Sequence, residues 1–593
     1  MKFLSKIPPL LVILAALGLM VVSIKDDSFI VDEIPHVGAG YSYIAKGDMR
    51  LNPEHPPLVK DLAGIALFPL KLNEQAFNTN FWKTDINGQW EFGRRLIYNS
   101  GNDANTITYV ARLPVLLFFI LTAGLIFRWG RELYGKVGGL IALILFSFSP
   151  TIMAHARFVT TDMAALFGIV WATYYFLRYL KHPSVGTFWP AAITFGIALL
   201  TKFSTFLLIP FLGLTALVWG FVHASHGKVT EAIKWGFRSV LVLAVGFIIV
   251  VWPVYAVHTI NYPPERQAHD TQALLSSFGN RLFADPVVWM ADKPVLRAAG
   301  QYFLGLLMVT QRSTGGNTIY FLGEVKNSGG PIYFPLVYFI KEPLAWWILV
   351  FMALVLIPLQ LGKPRFKWHA LEEWIKKHFV EFAMLLWLAI YWAISIRSNL
   401  NIGVRHLLPT YGFAILLVSG QISRLIERAK QISREQVKIM SGLVMILLVW
   451  YVFENASVFP NYLTYFNQTV GGPSGGYKYV VDSNLDWGQD LKRLSKFIEQ
   501  EKIPHVELDY FGWADPSFYL KNKYVYLNSS TYRDARDFLN NNRSNGWIAV
   551  SATFLQGSEG TAQDPQVINY TWLKGYEPVT VVGNSIFVWH IIK

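Results

Sequence analysis

Long apolar runs recur along this chain, and they restrict its fold more than any other feature does. The runs that are nearly free of charge are Leu10–Ile24, Pro114–Phe127, Leu140–Pro150, Phe203–Val222, Val240–Tyr255, Leu344–Leu361, Phe382–Ile396, Leu407–Gly420 and Met440–Phe453. Several approach the roughly 20 apolar residues that an α-helix needs to cross a bilayer. Only 15% of the 593 residues are charged, whereas about a quarter are charged in an ordinary soluble protein. The sequence therefore predicts a mainly α fold, a polytopic transmembrane helical bundle of about 11 spans.

Short basic connections between these runs predict how the chain is threaded through the membrane. The clusters are Arg128/Arg131/Lys136, Arg178/Lys181, Lys228/Lys234/Arg238, Lys363/Arg365/Lys367/Lys376/Lys377 and Arg424/Arg428/Lys430/Arg434/Lys438. The positive-inside rule places such clusters on the cytoplasmic side. The net charge of +13 therefore indicates topology, and no nucleic-acid partner is expected. With a retained first span that starts inside, residues 26–112, residues 255–334 and the C-terminal tail are expected outside.

The tail has a different pattern from the rest of the chain. Tyr477–Asp482 is typical of a short strand, and residues 486–500 are typical of an amphipathic helix that Asp486 caps and on which Asp490 is solvated. Alternating apolar residues further on predict more strands.

Two domains are therefore predicted. Residues 1–456 form a transmembrane domain, and residues 457–593 form an extracytoplasmic α/β domain. The chain has no cysteine, which excludes disulfide bonds and thiolate metal sites.

The first outer loop carries adjacent acids and a histidine in "VDEIPHVGAG". Asp32 and Glu33 lie four and three residues before His36, so on a helix all three can meet on one side. The alternative is that Asp32 caps a short helix and His36 is an ordinary polar neighbour.

A second polar cluster in the same loop is Glu54-His55-Pro56-Pro57. The prolines forbid regular helix and keep the preceding residues extended. An acid and an imidazole on a stiff turn can bind a divalent cation or orient a hydroxyl. The alternative is a proline turn between two interfacial helices.

A third acid, Asp162, opens a later apolar span in "HARFVTTDMAALF". It is an ordinary helix cap, or it faces the other acids at the membrane edge. An ionisable group at a span end is a candidate functional residue.

The order of these acidic motifs along the chain resembles that of the GT-C membrane glycosyltransferases of family 39. This family includes protein O-mannosyltransferases and the aminoarabinose transferase of lipid A. "EHPPLVK" is similar to a His-Pro-Pro-Leu-Gly-Lys stretch of that family. Segments common in its bacterial members are similar to "FIKEPLAWW", "GVRHLLPTY" and "DSNLDWGQDLKRL".

The resemblance implies a polyprenyl-phosphate-dependent hexosyl or pentosyl transferase (EC 2.4 type) in a bacterial inner membrane. Its partners would be the lipid-linked sugar donor, membrane lipids, and a protein, lipid or glycan acceptor on the outer face. It also implies catalytic roles for Asp32, Glu33 and Asp162, and a contact between Glu54 and a divalent metal ion. Asp32 is the natural general base for the acceptor.

Substrate binding is predicted for basic groups near these acids. The guanidinium of Arg405, beside His406, can fork onto phosphate oxygens, although both residues can instead contact lipid headgroups. His36, His55 and Lys60 complete the predicted set. Lys341 and Glu342 are interpreted as a local ion pair.

Two other classes of function compete with an enzyme. A transporter or flippase of a lipid-linked or anionic substrate would place ionisable groups in mid-span, in matched halves. Here the acids cluster at one edge without repetition, which favours the enzyme. The third class is an inactive scaffold whose tail binds envelope partners.

Overall fold

The computed structural model describes residues 7–361, 368–560 and 567–592, which are mainly helical. The helices are α1 (Pro9–Ile24), α2 (Glu33–Lys46), α3 (Leu58–Leu67), α4 (Asn80–Lys83), α5 (Gln89–Tyr98), α6 (Ala104–Arg112), α7 (Leu116–Ser147), α8 (Pro150–Ala156), α9 (Asp162–Lys181), α10 (Val185–Leu199), α11 (Leu208–His223), α12 (Lys228–Gly246), α13 (Trp252–His258), α14 (Pro264–Leu274), α15 (Arg281–Met290), α16 (Arg297–Gly315), α17 (Tyr333–Lys341), α18 (Leu344–Leu361), α19 (Trp368–Lys377), α20 (Phe379–Arg397), α21 (Leu408–Ile432), α22 (Arg434–Ser457), α23 (Leu491–Gln500), α24 (Pro516–Leu520), α25 (Ala535–Asn541) and α26 (Ala552–Glu559). The strands are β1 (Ile319–Phe321), β2 (Glu324–Lys326), β3 (Val506–Asp509), β4 (Tyr524–Tyr526), β5 (Trp547–Ser551), β6 (Thr580–Val582) and β7 (Ile586–His590).

The apolar runs form helices, but the expected count of about 11 spans is not confirmed. Within the described ranges, 6 helical stretches are long and apolar enough to cross a membrane, or 7 if α17 and α18, bent by 112° at Glu342, make one span. The stretches are Ala104–Ser147, Asp162–Lys181, Phe203–His223, Lys228–His258, Phe379–Arg397 and Arg434–Ser457. Two further apolar helices, α1 and α10, are shorter.

One of these stretches contains a chain reversal. Gly135 in α7 has φ 75°, a conformation that glycine adopts without steric cost. The two halves of α7 then approach so closely that a Cβ on Gly139 would lie 2.8 Å from the Phe127 carbonyl oxygen. The apolar runs on either side of Gly135 therefore lie next to each other.

The tail is an α/β structure, as predicted. Its sheet has the strand order β4-β3-β5-β7-β6. β3 runs parallel to β4 and β5, and β7 is antiparallel to β5 and β6. Helices α23 to α26 connect or flank these strands.

The segment before this sheet differs from its prediction. Gly476–Lys478 is one turn of 3-10 helix, and Val480 makes only an isolated bridge to Phe321. The reason is close packing, because a Cβ on Gly476 would lie 2.1 Å from the Phe466 ring.

The acids expected on a solvated helix are buried. Helix α23 begins at Leu491, and Asp486 is no cap: its carboxylate accepts a hydrogen bond from the Thr553 N–H at 2.9 Å. Burial raises the pKa of Asp486 to about 8. Asp490 accepts from the Ser585 hydroxyl at 2.6 Å. Their even spacing reflects a folded turn and not a polar helix face.

Buried ion pairs join the tail to the membrane part. The carboxylate of Asp27 lies 2.5 Å from Arg157 and 2.6 Å from Arg493 of α23. Arg493 also pairs with Asp490 at 2.5 Å. Trp487 and Leu491 belong to the same continuous apolar core as the membrane helices.

Arg493 and Lys496 of α23 provide a matched test of this anchor. Arg493 pairs with buried Asp27, whereas Lys496 pairs with Asp26 at a site where both side chains are almost half exposed. We expect Arg493→Met to lower the free energy of unfolding by about 3 kcal/mol, since it leaves buried charge unpaired. Lys496→Met should cost less than about 1 kcal/mol, as exposed ion pairs contribute little. Thermal unfolding of both variants in detergent measures this, and equal losses would contradict the anchor.

Candidate functional site

A cavity of about 670 Å³ lies where the segment between α1 and α6 meets the ends of several apolar helices. Its lining combines charged and imidazole groups, named here the polar wall, with apolar side chains, named here the apolar wall. The polar lining consists mainly of Asp32, His36, Glu54, His55, Thr161, Lys202, Arg312, Arg405 and His406. The apolar lining includes Phe203, Phe206, Leu207, Leu274, Leu306, Val309, Phe334, Ile394, Leu400 and Ile402. Such a cavity fits a ligand with an anionic end and a hydrocarbon end.

The polar wall is positioned by close contact of two short helices. A Cβ on Gly40 of α2 would lie 2.1 Å from the Lys60 carbonyl oxygen of α3. The glycine therefore allows α2, which starts just after Asp32, to pack directly on the helix that follows His55.

Asp32 and Arg405 form the central ion pair of the cavity. Nη1 of Arg405 donates to Oδ2 of Asp32 at 2.8 Å. Asp32 precedes the first residue of α2 and keeps 23% of its side chain exposed, so it can still meet a ligand. Burial lowers the pKa of Arg405, but the carboxylates of Asp32 and Asp162 outweigh it, and the net shift is upward.

Two residues of the tail contact the Arg405 guanidinium. The guanidinium lies 4.2 Å from the centre of the Trp487 ring, and its Nε donates to the Ser483 hydroxyl at 3.3 Å. The Trp487 carbonyl accepts from the Val31 N–H at 3.0 Å. One tail segment therefore contacts Arg405 directly and also contacts Val31, the residue before Asp32.

Asp162 lies behind the cavity wall and not in it. Its side chain is fully buried, with one oxygen 2.5 Å from Lys202 and the other 3.6 Å from Arg405. Asp162 is thus paired with two cations, and its expected catalytic role stays a prediction. Its place at the start of α9 also suits a carboxylate, because the helix dipole is positive there.

Lys202 was not among the sequence candidates. It is the lone charge in "LLTKFSTFLLIP", between two apolar runs. A single cation in such a stretch is unfavourable unless it is paired or functional, and that signal could have identified it.

Two histidines stand together on the polar wall. The rings of His36 and His55 are 4.8 Å apart, edge to face, and Nδ1 of His36 lies 2.7 Å from the Val159 carbonyl oxygen. Burial lowers the pKa of both imidazoles, and their mutual repulsion adds to the shift of His55. We expect them to be neutral hydrogen-bonding groups at physiological pH.

Lys60 does not line the cavity, contrary to its predicted role in substrate binding. Its ammonium donates to the His55 carbonyl at 2.7 Å, to Asn52 at 2.8 and 2.9 Å, and to the Tyr43 hydroxyl at 2.9 Å. Burial lowers its pKa to about 7. Lys60 therefore fixes the loop that presents Glu54 and His55.

Glu54 lines the cavity but accepts hydrogen bonds from two amides. Asn87 donates to it at 3.2 Å, and Gln89 donates to its other oxygen. Among the described residues, no group of three or more His, Asp or Glu side chains is placed to hold a metal ion. The donor set that a metal at Glu54 would require is therefore not assembled.

Glu33 is also directed away from the cavity. Arg112 contacts both of its oxygens, at 2.8 and 2.5 Å, and the Val159 N–H donates to it at 2.8 Å. This buried pair fixes Glu33 against Arg112, and its expected catalytic role stays a prediction.

The interpretation of Lys341 and Glu342 as an ion pair also changes. Lys341 donates to the carbonyls of Leu463 and Asn484, both at 2.7 Å. Glu342 instead accepts from Thr151 at 2.7 Å and from Tyr411 at 2.8 Å. Each side chain braces the bend between α17 and α18 against a different neighbour.

Residues 105–252 match the family model described as dolichyl-phosphate-mannose-protein mannosyltransferase. No curated protein matches the chain by sequence. Among solved structures, the chain is similar to ArnT from Cupriavidus metallidurans bound to undecaprenyl phosphate, with 13% identity over 98% of this chain and 97% of that one and a TM-score of 0.42. It is also similar to the S. cerevisiae protein O-mannosyltransferase Pmt1-Pmt2 complex bound to the sugar donor, with 13% identity over 77% of this chain, 90% of that chain and a TM-score of 0.51. The second likeness shows a shared fold.

The adjacent acids Asp32 and Glu33 provide a test of their different roles. Glu33→Gln should lower the free energy of unfolding by about 3–5 kcal/mol, because it removes the nearer of the two carboxylates that pair with buried Arg112. Asp32→Asn should change that free energy by less than about 1 kcal/mol, since Arg405 keeps Asp162 as a second charge partner and the Asn amide oxygen can still accept its hydrogen bond. Thermal unfolding of the purified variants measures both. A stable Glu33→Gln protein would refute the structural role.

Proposed function

We propose that this chain is a GT-C membrane glycosyltransferase and that it transfers a sugar from a polyprenyl-phosphate donor to an acceptor; the family match over residues 105–252 and the shared fold support this. The observation that carries the proposal is the mixed lining of the cavity, in which Lys202, Arg312 and Arg405 occur together with many apolar side chains. A donor of this class has a phosphate for the cations and a prenyl chain for the apolar side chains.

Three cations support binding of the donor phosphate. A guanidinium forks onto two phosphate oxygens, and an ammonium acts as a point charge. Buried Asp162 and the Trp487 ring hold Lys202 and Arg405 in place before the donor arrives. Fixed charges of this kind stabilise the negative charge that develops on the leaving phosphate without further reorganisation.

Asp32 is proposed as the general base. The acceptor oxygen or nitrogen attacks the anomeric carbon, the bond from that carbon to the phosphate oxygen breaks, and the acceptor proton passes to the Asp32 carboxylate. The sugar is transferred with inversion, and the leaving group is the polyprenyl phosphate. A base positioned in this way contributes about 10²–10⁴-fold to the rate.

No step in this scheme uses a metal. The cavity holds two paired cations, Lys202 and Arg405, together with the exposed Arg312, and among the described residues Glu54 lacks the companion ligands that a divalent ion requires. We propose instead that Glu54, held by Asn87 and Gln89, accepts hydrogen bonds from the sugar or the acceptor.

Orientation and partners complete the proposal. We place the cavity and the tail on the outer face of a bacterial inner membrane, since the basic connections lie towards the other ends of the helices. The donor sugar is a hexose or pentose, and the acceptor is a protein, lipid or glycan. Against a transporter, the cavity lies at one end of α20 and α21 and not midway along them.

The base assignment is tested by transfer from a set of radiolabelled polyprenyl-phosphate sugars in vitro. We expect Asp32→Asn to lower the rate at least about 100-fold at equal folded protein. The control is Asp103→Asn, which replaces the exposed cap of α6 with another good cap and should leave the rate unchanged. EDTA should change the wild-type rate less than about twofold. A loss under threefold for Asp32→Asn refutes the base, and no transfer from any donor by the wild type refutes the function.

The support of Arg405 by Trp487 gives a second test. Trp487→Leu removes the ring and should raise KM for the donor about tenfold, since a desolvated cation–π contact contributes about 2 kcal/mol or less. Trp487→Phe keeps an aromatic face and should recover most of the affinity. Thermal unfolding of both variants separates this effect from general destabilisation. Equal KM values for Leu and Phe would exclude the cation–π contact as its cause.

A further inference from the structure

A second cavity lies at the opposite ends of the same spanning helices. It has a volume of about 420 Å³ and is lined by Leu133, Tyr134, His378, Ser423, Arg424, Glu427, Arg428 and Gln431. Residues near the end of α20 and before the start of α21 line the first cavity, whereas the second lies before the start of α20 and near the end of α21. Helix α20 has 19 residues and is therefore about 28 Å long, close to the hydrocarbon thickness of about 30 Å. The two cavities thus lie near opposite membrane surfaces.

The lining of the second cavity offers donors to an anion. Arg428 is exposed and makes no ion pair among the residues that the structure describes. The Tyr134 hydroxyl is buried, and within the described ranges it has no hydrogen-bond partner. Arg424 pairs with Glu381 and lies 5.6 Å from the Tyr134 ring. A buried hydroxyl without a partner is costly, and a ligand that accepts from it would remove that cost.

Negative charge in this region is already neutralised. Glu427 pairs with Lys430 at 2.5 Å, and Glu381 contacts Arg424. His378 lies 3.8 Å from the same Glu381 carboxylate. The cavity groups that remain able to donate hydrogen bonds to an anion are therefore Arg428, the Tyr134 hydroxyl and the remaining guanidinium nitrogens of Arg424.

We propose that this cavity binds the phosphate headgroup of an anionic membrane lipid. Phosphate oxygens match the fork of a guanidinium and accept from a phenol. Basic pockets between spanning helices at the cytoplasmic surface are suited to such headgroups. Exposed apolar side chains nearby on α20 and α22, among them Leu385 and Ile439, provide a surface for the acyl chains. The proposal is independent of the reaction at the first cavity.

The test measures binding of phosphatidylglycerol and phosphatidylcholine to the purified protein by native mass spectrometry. The variant Tyr134→Phe/Arg428→Gln should bind phosphatidylglycerol at least about fivefold more weakly and phosphatidylcholine unchanged. The matched control, Lys438→Gln, removes an exposed cation of α22 outside the cavity and should stay within about twofold of wild type. Without lipid, Tyr134→Phe should not lower the thermal midpoint, because the hydroxyl it removes has no partner there.

Three outcomes would overturn the proposal. Equal losses for Lys438→Gln and the cavity variant would show diffuse attraction to the basic surface. Unchanged phosphatidylglycerol binding by the cavity variant would exclude the cavity altogether. In a parallel arm with inorganic phosphate alone, stabilisation of the wild type that the cavity variant lacks, together with equal binding of phosphatidylglycerol and phosphatidylcholine, would identify a site for a soluble anion and not for a lipid.

Discussion

The buried carboxylate of Asp162 is the contact on which the first cavity depends. It holds Lys202 at 2.5 Å and lies 3.6 Å from Arg405. Cations at the edge of a membrane are costly unless they are paired, so this acid lets two of them remain charged beside an apolar wall. The second partner of Arg405, Asp32, is exposed enough to meet a ligand. Arg405 thus pairs with two different acids: Asp162, which is fully buried, and Asp32, which can contact a ligand.

The tail is part of this arrangement and not an appended module. Trp487 and Ser483 contact the Arg405 guanidinium, and the Trp487 carbonyl accepts from Val31, next to Asp32. The buried pair between Arg493 and Asp27 keeps that segment in place. A cation whose ring and hydroxyl supports come from a distant part of the chain is fixed before any ligand binds, which is the condition for electrostatic stabilisation of a developing charge.

Sequence patterns located the polar wall better than they assigned its roles. Asp32, His36, Glu54, His55, Arg405 and His406 all line the cavity, because acids and imidazoles beside apolar runs are conspicuous. Lys60 and Glu33 were equally conspicuous, yet their partners lie within the protein. Lys202 and the support from Trp487 were missed, since a lone lysine and a tryptophan look ordinary until their neighbours are known. The count of about 11 spans stays a prediction, and the reversal at Gly135 shows that one helical stretch can contain two of the predicted apolar runs.

The sequence by itself determined that the chain lies in a membrane, that its tail is α/β, and that acids gather at one edge, because hydropathy and periodicity are local properties of neighbouring residues. Only the tertiary structure decided which acid faces the cavity. Asp32 and Glu33 are adjacent, but their partners Arg405 and Arg112 lie 373 and 79 residues away along the chain. Pairing over such distances depends on how helices pack, and no local pattern encodes it.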